Sequence, residues 1–394
     1  MGSSIAWIDR DANASKRMQE VLGAFKQPDT RDELGFGSIR DAISDRLFPG
    51  TSVIQTRLRY MLLIPYLYID LQNKRIPSAE FERRARKNEL ALNAKLREEP
   101  GAFGKESGNE LKRLASSTYW AGLKTWGLLQ INCTQSQLFR QMDSIITSNS
   151  VRRKREDGEN DLDDVQTPWH PALSSLMQDA WPLDNPTLQM TKEECRYLLE
   201  RWKRTIDGTL FEILASSKKM REASIDIDAP WLHPHRQSFS GEMKNVVHNA
   251  EMFSILAFGG TIMYNLELAR HWGMSELVSK YEQMLQGWFK KDFPKCRTWK
   301  PDSLWEIIHP PYEIHEKTKL FVTSLHAELS RVHAGGEFGN LAQLVRLRED
   351  DLKKSRSRFK DKRNWVGDSG LFRMTFRWDI TKRYLNDLND GLAQ

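Results

Sequence analysis

The chain is poor in residues that staple a fold or announce a chemistry. Its three cysteines, Cys133, Cys195 and Cys296, stand far apart with no C-x-x-C among them. An odd, scattered set supports neither a disulfide framework nor a cysteine zinc site. There is no G-x-x-x-x-G-K-[ST] phosphate loop, no G-x-S-x-G and no H-x-K-x-x-x-x-D. ATPase, hydrolase and phospholipase-like nuclease chemistries therefore lack local support, and no cofactor-binding motif is present. Strand-like alternation is nearly absent outside 371–378, and no repeat of about 20 to 50 residues is visible, which argues against a solenoid. No signal peptide is apparent. The uncharged core of the central apolar stretch, 60–69, is roughly half the ~20 residues that a membrane span needs, so a cytoplasmic protein with no membrane contact is expected.

What is present is a large, rather polar globular chain. Its 394 residues are 39% hydrophobic, with a mean hydropathy of −0.61, enough for two or three domains with sizeable cores. Lys and Arg number 59 against 53 Asp and Glu, a net charge of +6. This moderate basic excess permits an acidic partner such as nucleic acid without requiring one. Thirteen tryptophans are an unusual investment. Trp packs helix junctions, and stacks on bases only where arginine and lysine crowd nearby.

The stretch 31–71, RDELGFGSIRDAISDRLFPGTSVIQTRLRYMLLIPYLYIDL, organises the rest. Gly35 and Gly37 make a turn, after which Ser38 is placed to cap a helix whose apolar positions Ile39, Ile43 and Leu47 share one face. Phe48-Pro49-Gly50 stops it. A second helix, about 53–72 and capped by Thr51 or Ser52, is apolar almost all round, as a helix buried on every side is, and Pro65 should kink it. Charges of both signs crowd this helix: Arg31, Asp32, Glu33, Arg40, Asp41, Asp45, Arg46, Arg57 and Arg59. Either they pair with one another and fix the turn, or Arg57 and Arg59 serve an exposed anion site.

Elsewhere the pattern is helical. A helix is expected over 9–26, a charged one over 78–99, and a buried stripe over 109–129 whose break near Ser116-Ser117 leaves room for a helix-turn-helix. Thr191-Lys192-Glu193-Glu194 reads as a capping box. A long helix over 243–272 carries Gly259-Gly260, small enough for close approach by a neighbour such as the central helix. Amphipathic helices follow over 277–289 and 317–332, and 371–378 reads as a short strand or helix entry. The expected architecture is mostly α, a multi-helix globular protein with little or no sheet. Its expected domains are an N-terminal helical one (1–147), a charged linker or loop (148–167) and a C-terminal helical one (168–394).

Chemistry-bearing sets are few. Asp228, Glu242 and Lys244 imitate the acids and E-x-K by which some nucleases hold magnesium, but Glu242 and Lys244 open a helix rather than lie on a strand. His248 and Glu251 share a helix face, and one such pair is not a metal site. The strongest feature is a basic segment, Lys353, Lys354, Arg356, Arg358, Lys360, Lys362 and Arg363, followed by Trp365. Counterion release makes such a cluster a phosphate binder, with Ser355 and Ser357 as further donors and Arg373, Arg377 and Trp378 as a possible extension.

Several blocks together resemble a bacterial family: RDELGxGxIRD at 31–41, LFPGTS at 47–52, QTRxRY at 55–60, YWxGL at 119–123, YNLxLA at 264–269, and WxGxSG at 365–370 with Arg377-Trp378. That family is known as a domain of unknown function of similar length, found in loci encoding helicases, phospholipase-D-like nucleases and other anti-phage parts. It has no established catalytic residues, so none carries over. The resemblance implies a setting and a partner class. The resulting expectation is a non-enzymatic, DNA-engaging component of a multi-protein bacterial anti-phage defence system, using Arg57, Arg59 and the basic segment on the phosphate backbone. The alternatives are a protein-binding scaffold or regulator of a helicase or nuclease partner, and a metal-dependent nuclease.

Overall fold

The computed structural model describes residues 32–105, 113–155, 168–181, 185–362, 365 and 367–394. The helix expected over 9–26, the acidic half of the expected linker and Arg363 lie outside these residues. Seventeen α-helices and no strand occur among the described residues, apart from one isolated bridge between Leu129 and Trp169. Eleven helices exceed ten residues: α1 (Gly37–Leu47), α2 (Tyr60–Asn73), α3 (Ser78–Lys95), α4 (Ala115–Thr125), α5 (Met142–Arg155), α6 (Lys192–Thr205), α7 (Gly241–His271), α8 (Ser275–Lys291), α9 (Glu316–His333), α10 (Gly339–Lys353) and α11 (Trp378–Leu392). The stretch 371–378 forms turns that lead into α11, and the expected break at Ser116-Ser117 is instead the first turn of α4.

Two compact units are formed from interleaved segments. The larger takes 38–255, 298–315 and 373–394. Its centre is α2, where eleven of fourteen residues are buried and Pro65 is tolerated inside the helix. Each large apolar side chain buried there contributes about 1.5–3 kcal/mol, so this helix is a major source of the unit's stability. It packs against α3, α4 and the short helix Ala172–Ala180.

The helix begins later than its apolar run predicts. Thr51 turns its hydroxyl back to the Phe48 carbonyl, and 51–59 is irregular. Its backbone donors are met from far away: the Tyr119 hydroxyl accepts from Thr56 and Arg57 N–H, and the Asp387 carboxylate accepts from Leu58 N–H. These acceptors hold the irregular segment that precedes the helix, and α2 itself starts without a side-chain cap.

Asp387 also accepts from Arg57 Nε at 2.8 Å. Burial pushes its carboxyl up from 3.8 to about 6, against the opposing pull of the Arg57 guanidinium and the Leu58 N–H. Because the folded state then holds a proton that the unfolded chain has released, stability is highest below pH ~4 and falls as pH rises to ~6, by about 3 kcal/mol for this group alone. Asp387→Asn should remove that slope. Urea melts at pH 4.5 and 7 check it, and a wild-type slope unchanged in the variant would refute the assignment.

The capping box forms as expected. Thr191 Oγ1 accepts from Glu194 N–H at 3.2 Å and Glu194 accepts from Thr191 N–H at 3.0 Å. The same carboxylate is the partner of Arg59, through Nε at 3.0 Å and Nη2 at 3.1 Å. Aromatic packing seals this region: the Trp126, Trp202 and Phe211 rings meet with centroids 4.7–5.7 Å apart.

The smaller unit takes 32–37, 256–297 and 316–372. Here the second half of α7 packs with α8, and α9 and α10 form a hairpin. The two glycines of α7 serve this unit. A Cβ on Gly259 would run into the Trp288 ring, and one on Gly260 would lie 2.8 Å from Leu325, so the close neighbours are α8 and α9 rather than the central helix. By length and composition α7 is apolar enough to cross a membrane, yet 83% of its apolar window is buried within the protein, the pattern of a core helix.

Candidate nucleic-acid interface

The charges of the 32–59 stretch do not chiefly neutralise one another. Among the described residues Arg40 and Asp41 are the pair formed locally, at 2.9 Å, and Arg31 lies outside those residues. Asp32 caps the start of α1, accepting from Phe36 and Gly37 N–H at 2.6 and 2.7 Å, the role expected of Ser38. Asp45 accepts from Tyr312 Oη and from Arg377, and Arg46 meets Glu242. Arg57 holds Asp387, and Arg59, only 3% exposed, holds Glu194. The anion that each of these last two arginines serves is an internal carboxylate. The expected phosphate contact of Arg59 is corrected accordingly: a guanidinium enclosed with its carboxylate has no face left for a ligand.

The basic segment, in the smaller unit, divides into anchors and projections. Lys353 ends α10 with its Nζ 2.8 Å from one Glu33 oxygen, and Arg358 Nη2 lies 2.9 Å from the other. Neither oxygen accepts a well-aligned hydrogen bond, so these are charge contacts to a carboxylate that is 5% exposed. Glu349, fully buried, accepts from Tyr264 Oη, Ser357 Oγ and Arg358 N–H at 2.8–3.0 Å. Three donors satisfy an otherwise costly buried carboxylate. Ser357 is thus an internal strut rather than a phosphate donor.

Between these anchors the chain is forced outward. Lys354 leaves α10 at φ +52°, a left-handed conformation that costs a non-glycine residue about 1 kcal/mol or more. Lys354, Ser355 and Arg356 are exposed, and no hydrogen bond or ion pair holds the Lys354 or Arg356 side chain among the described residues. Lys360 is exposed and reaches the Lys354 carbonyl at 3.1 Å, with Asp350 3.5 Å away.

The aromatic neighbour of these cations is not the one that the sequence suggests. Trp365 is 3% exposed and directs its indole N–H toward Asn265 Oδ1 at 3.4 Å, so it packs and does not stack. Trp378 is likewise buried, donating to the Ile227 carbonyl. Half-buried Trp272, just past the end of α7, takes the position instead. Its Nε1–H donates to the Arg358 carbonyl at 3.0 Å, and the Lys362 ammonium stands 5.9 Å from its ring centroid. Exposed His271 touches both Trp272 and Phe359, and the Arg346 guanidinium lies 5.2 Å over Phe359. The contacts group exposed Arg346, His271 and Lys362 with partly exposed Trp272 around the buried Phe359 ring. Trp272 escaped notice because only Arg270 is basic near it in sequence.

The nuclease set gains nothing from the geometry. Asp228 and Lys244 are exposed, and Glu242 is paired with Arg46. No group of three His, Cys, Asp or Glu among the described residues is arranged to hold a metal ion. Arg373, though exposed, and Arg377, bound to Asp45 and the Thr51 carbonyl, belong to the larger unit.

Fold and surface together define an all-α protein with one basic, aromatic-flanked loop held on buried carboxylates. Over residues 2–392 it matches the model of a family of unknown function, DUF6361, and the chain belongs to that family. No curated protein and no solved structure matches it.

Proposed function

We propose that the loop 353–362 engages the DNA phosphate backbone with little sequence selectivity. In this reading the chain is a non-enzymatic component of a multi-protein bacterial anti-phage system, with any helicase or nuclease chemistry supplied by a partner. The observation that carries the reading is the division of labour along the loop. Lys353 and Arg358 are both drawn onto buried Glu33, while Lys354, Arg356 and Lys362 remain exposed on the same segment. Exposed cations release counterions when they meet phosphate.

Three phosphate contacts give a salt slope near −2.7, so affinity should fall about 40-fold between about 50 and 200 mM salt. Fluorescence anisotropy with labelled DNA measures this, and a Lys354→Glu, Arg356→Glu, Lys362→Glu variant should lose most of the binding and most of the slope. No binding by folded wild type, or a variant that binds unchanged, would overturn the proposal. That outcome would favour the second reading, a protein-binding scaffold. It is supported by Leu320 on α9 and Leu347 on α10, which are 68% and 58% exposed.

A further inference from the structure

The face beside the basic loop carries an aromatic ring where a purely electrostatic surface has no use for one. Of the twelve described tryptophans nine are buried, and Trp126, Trp202, Trp288 and Trp378 are 2% exposed or less; Trp181, Trp272 and Trp305 are the partly exposed ones. Trp272 keeps part of its ring at the surface beside the basic loop, although its one polar atom is already satisfied by the Arg358 carbonyl. That hydrogen bond ties the indole to the loop that carries Lys354, Arg356 and Lys362. His271 stands edge-on to it with centroids 4.8 Å apart and is exposed.

We infer that Trp272, flanked by His271, is a stacking platform for an unpaired base, and that the surface takes single-stranded DNA in preference to duplex. The inference rests on the phosphate reading above and adds to it the form of the ligand. In a duplex both faces of each base are already covered by its neighbours, whereas a single strand offers a free π-face for an aromatic side chain. The Lys362 ammonium over the indole is exposed and, among the described residues, is held by a cation–π contact. Such a contact is worth about 1 kcal/mol at a solvated site, so an arriving base displaces it at little cost and frees the ammonium for the adjoining phosphate. The cations supply attraction that any DNA feels, and the ring supplies the part that only an unstacked base can use.

The test is anisotropy with a fluorescein-labelled oligo-dT and a duplex of equal length. It uses the full chain as wild type, Trp272→Ala, Trp272→Phe and the triple charge-reversal variant, each checked for folding by circular dichroism. Wild type should bind the single strand more tightly than the duplex. Trp272→Ala should weaken single-strand binding about tenfold while leaving duplex binding within about twofold. Trp272→Phe, which lacks the indole N–H but keeps a π-face, should retain most of the single-strand affinity. If Trp272→Ala and Trp272→Phe weaken both ligands equally, the indole merely holds the loop through the Arg358 carbonyl and the inference fails while phosphate binding stands. If Trp272→Ala changes neither affinity, the inference also fails. If folded wild type binds neither ligand, the phosphate reading itself falls.

Discussion

Glu194→Ala should cost the larger unit about 3–5 kcal/mol, because it strands the Arg59 guanidinium in a site that is 3% exposed. Arg59 would keep only the Thr187 carbonyl, 2.9 Å from Nη1. The same carboxylate closes the capping box on Thr191 N–H and receives the Tyr66 hydroxyl at 3.4 Å, so truncation removes a cap worth about 1 kcal/mol as well. Two further variants separate these contributions. Glu194→Gln keeps an acceptor for the cap and loses the charge, so it should recover only the smaller part. Arg59→Met combined with Glu194→Gln removes the buried cation together with the anion and should recover much of the remainder, since an apolar replacement of a buried pair is often neutral. Urea midpoints of the four proteins decide the matter. A loss under about 1 kcal/mol for Glu194→Ala would mean that water reaches the pair and that the burial argument is wrong.

Gly259→Ala should also destabilise, by about 1–3 kcal/mol, although alanine is the better helix former by about 1 kcal/mol. The added methyl meets the Trp288 ring, and that ring cannot retreat: it is 2% exposed and packed against Phe289 and Phe293 at centroid distances of 5.0 and 5.1 Å. Gly287 on α8 provides the control, since nothing lies within 4 Å of a Cβ built there. Gly287→Ala should stabilise by up to about 1 kcal/mol. Opposite signs of ΔTm for the two substitutions are the expected result. A stabilised Gly259→Ala would show that the α7–α8 contact is slack enough to absorb a methyl group.

The helices were legible because what defines them is local. The spacing of apolar residues fits α8 and α9 within a few residues at each end, and the continuous apolar run marks α2 as a core helix. Thr191 and Glu194 needed only each other, three positions apart, for the capping box to be read correctly. The errors fall where a local signal had a distant competitor. Thr51 and Ser52 were available as caps, yet the donors near the start of α2 are met by Tyr119 and Asp387, so the helix starts at Tyr60. Gly259 and Gly260 announced close packing without naming the neighbour, which proved to be Trp288 and Leu325.

The candidate interface was half legible. A run of cations is visible to anyone counting charges, and the loop 353–362 is where the count pointed. Which of those cations remain available was not visible, because neutralisation depends on Glu33, drawn in from the opposite end of the chain. Trp365 follows the cations in sequence but fills the core, whereas Trp272 is brought to them by the end of α7.

By itself, then, the sequence determined that this protein is helical, where eight of its eleven long described helices lie, and that its cations concentrate in one loop. Propensity, periodicity and capping act over three or four residues, and a linear reading captures them. The tertiary structure alone decided which carboxylate each arginine meets, which serine is a strut and which tryptophan faces outward. Those outcomes depend on distance in space and on burial, and no local pattern records them.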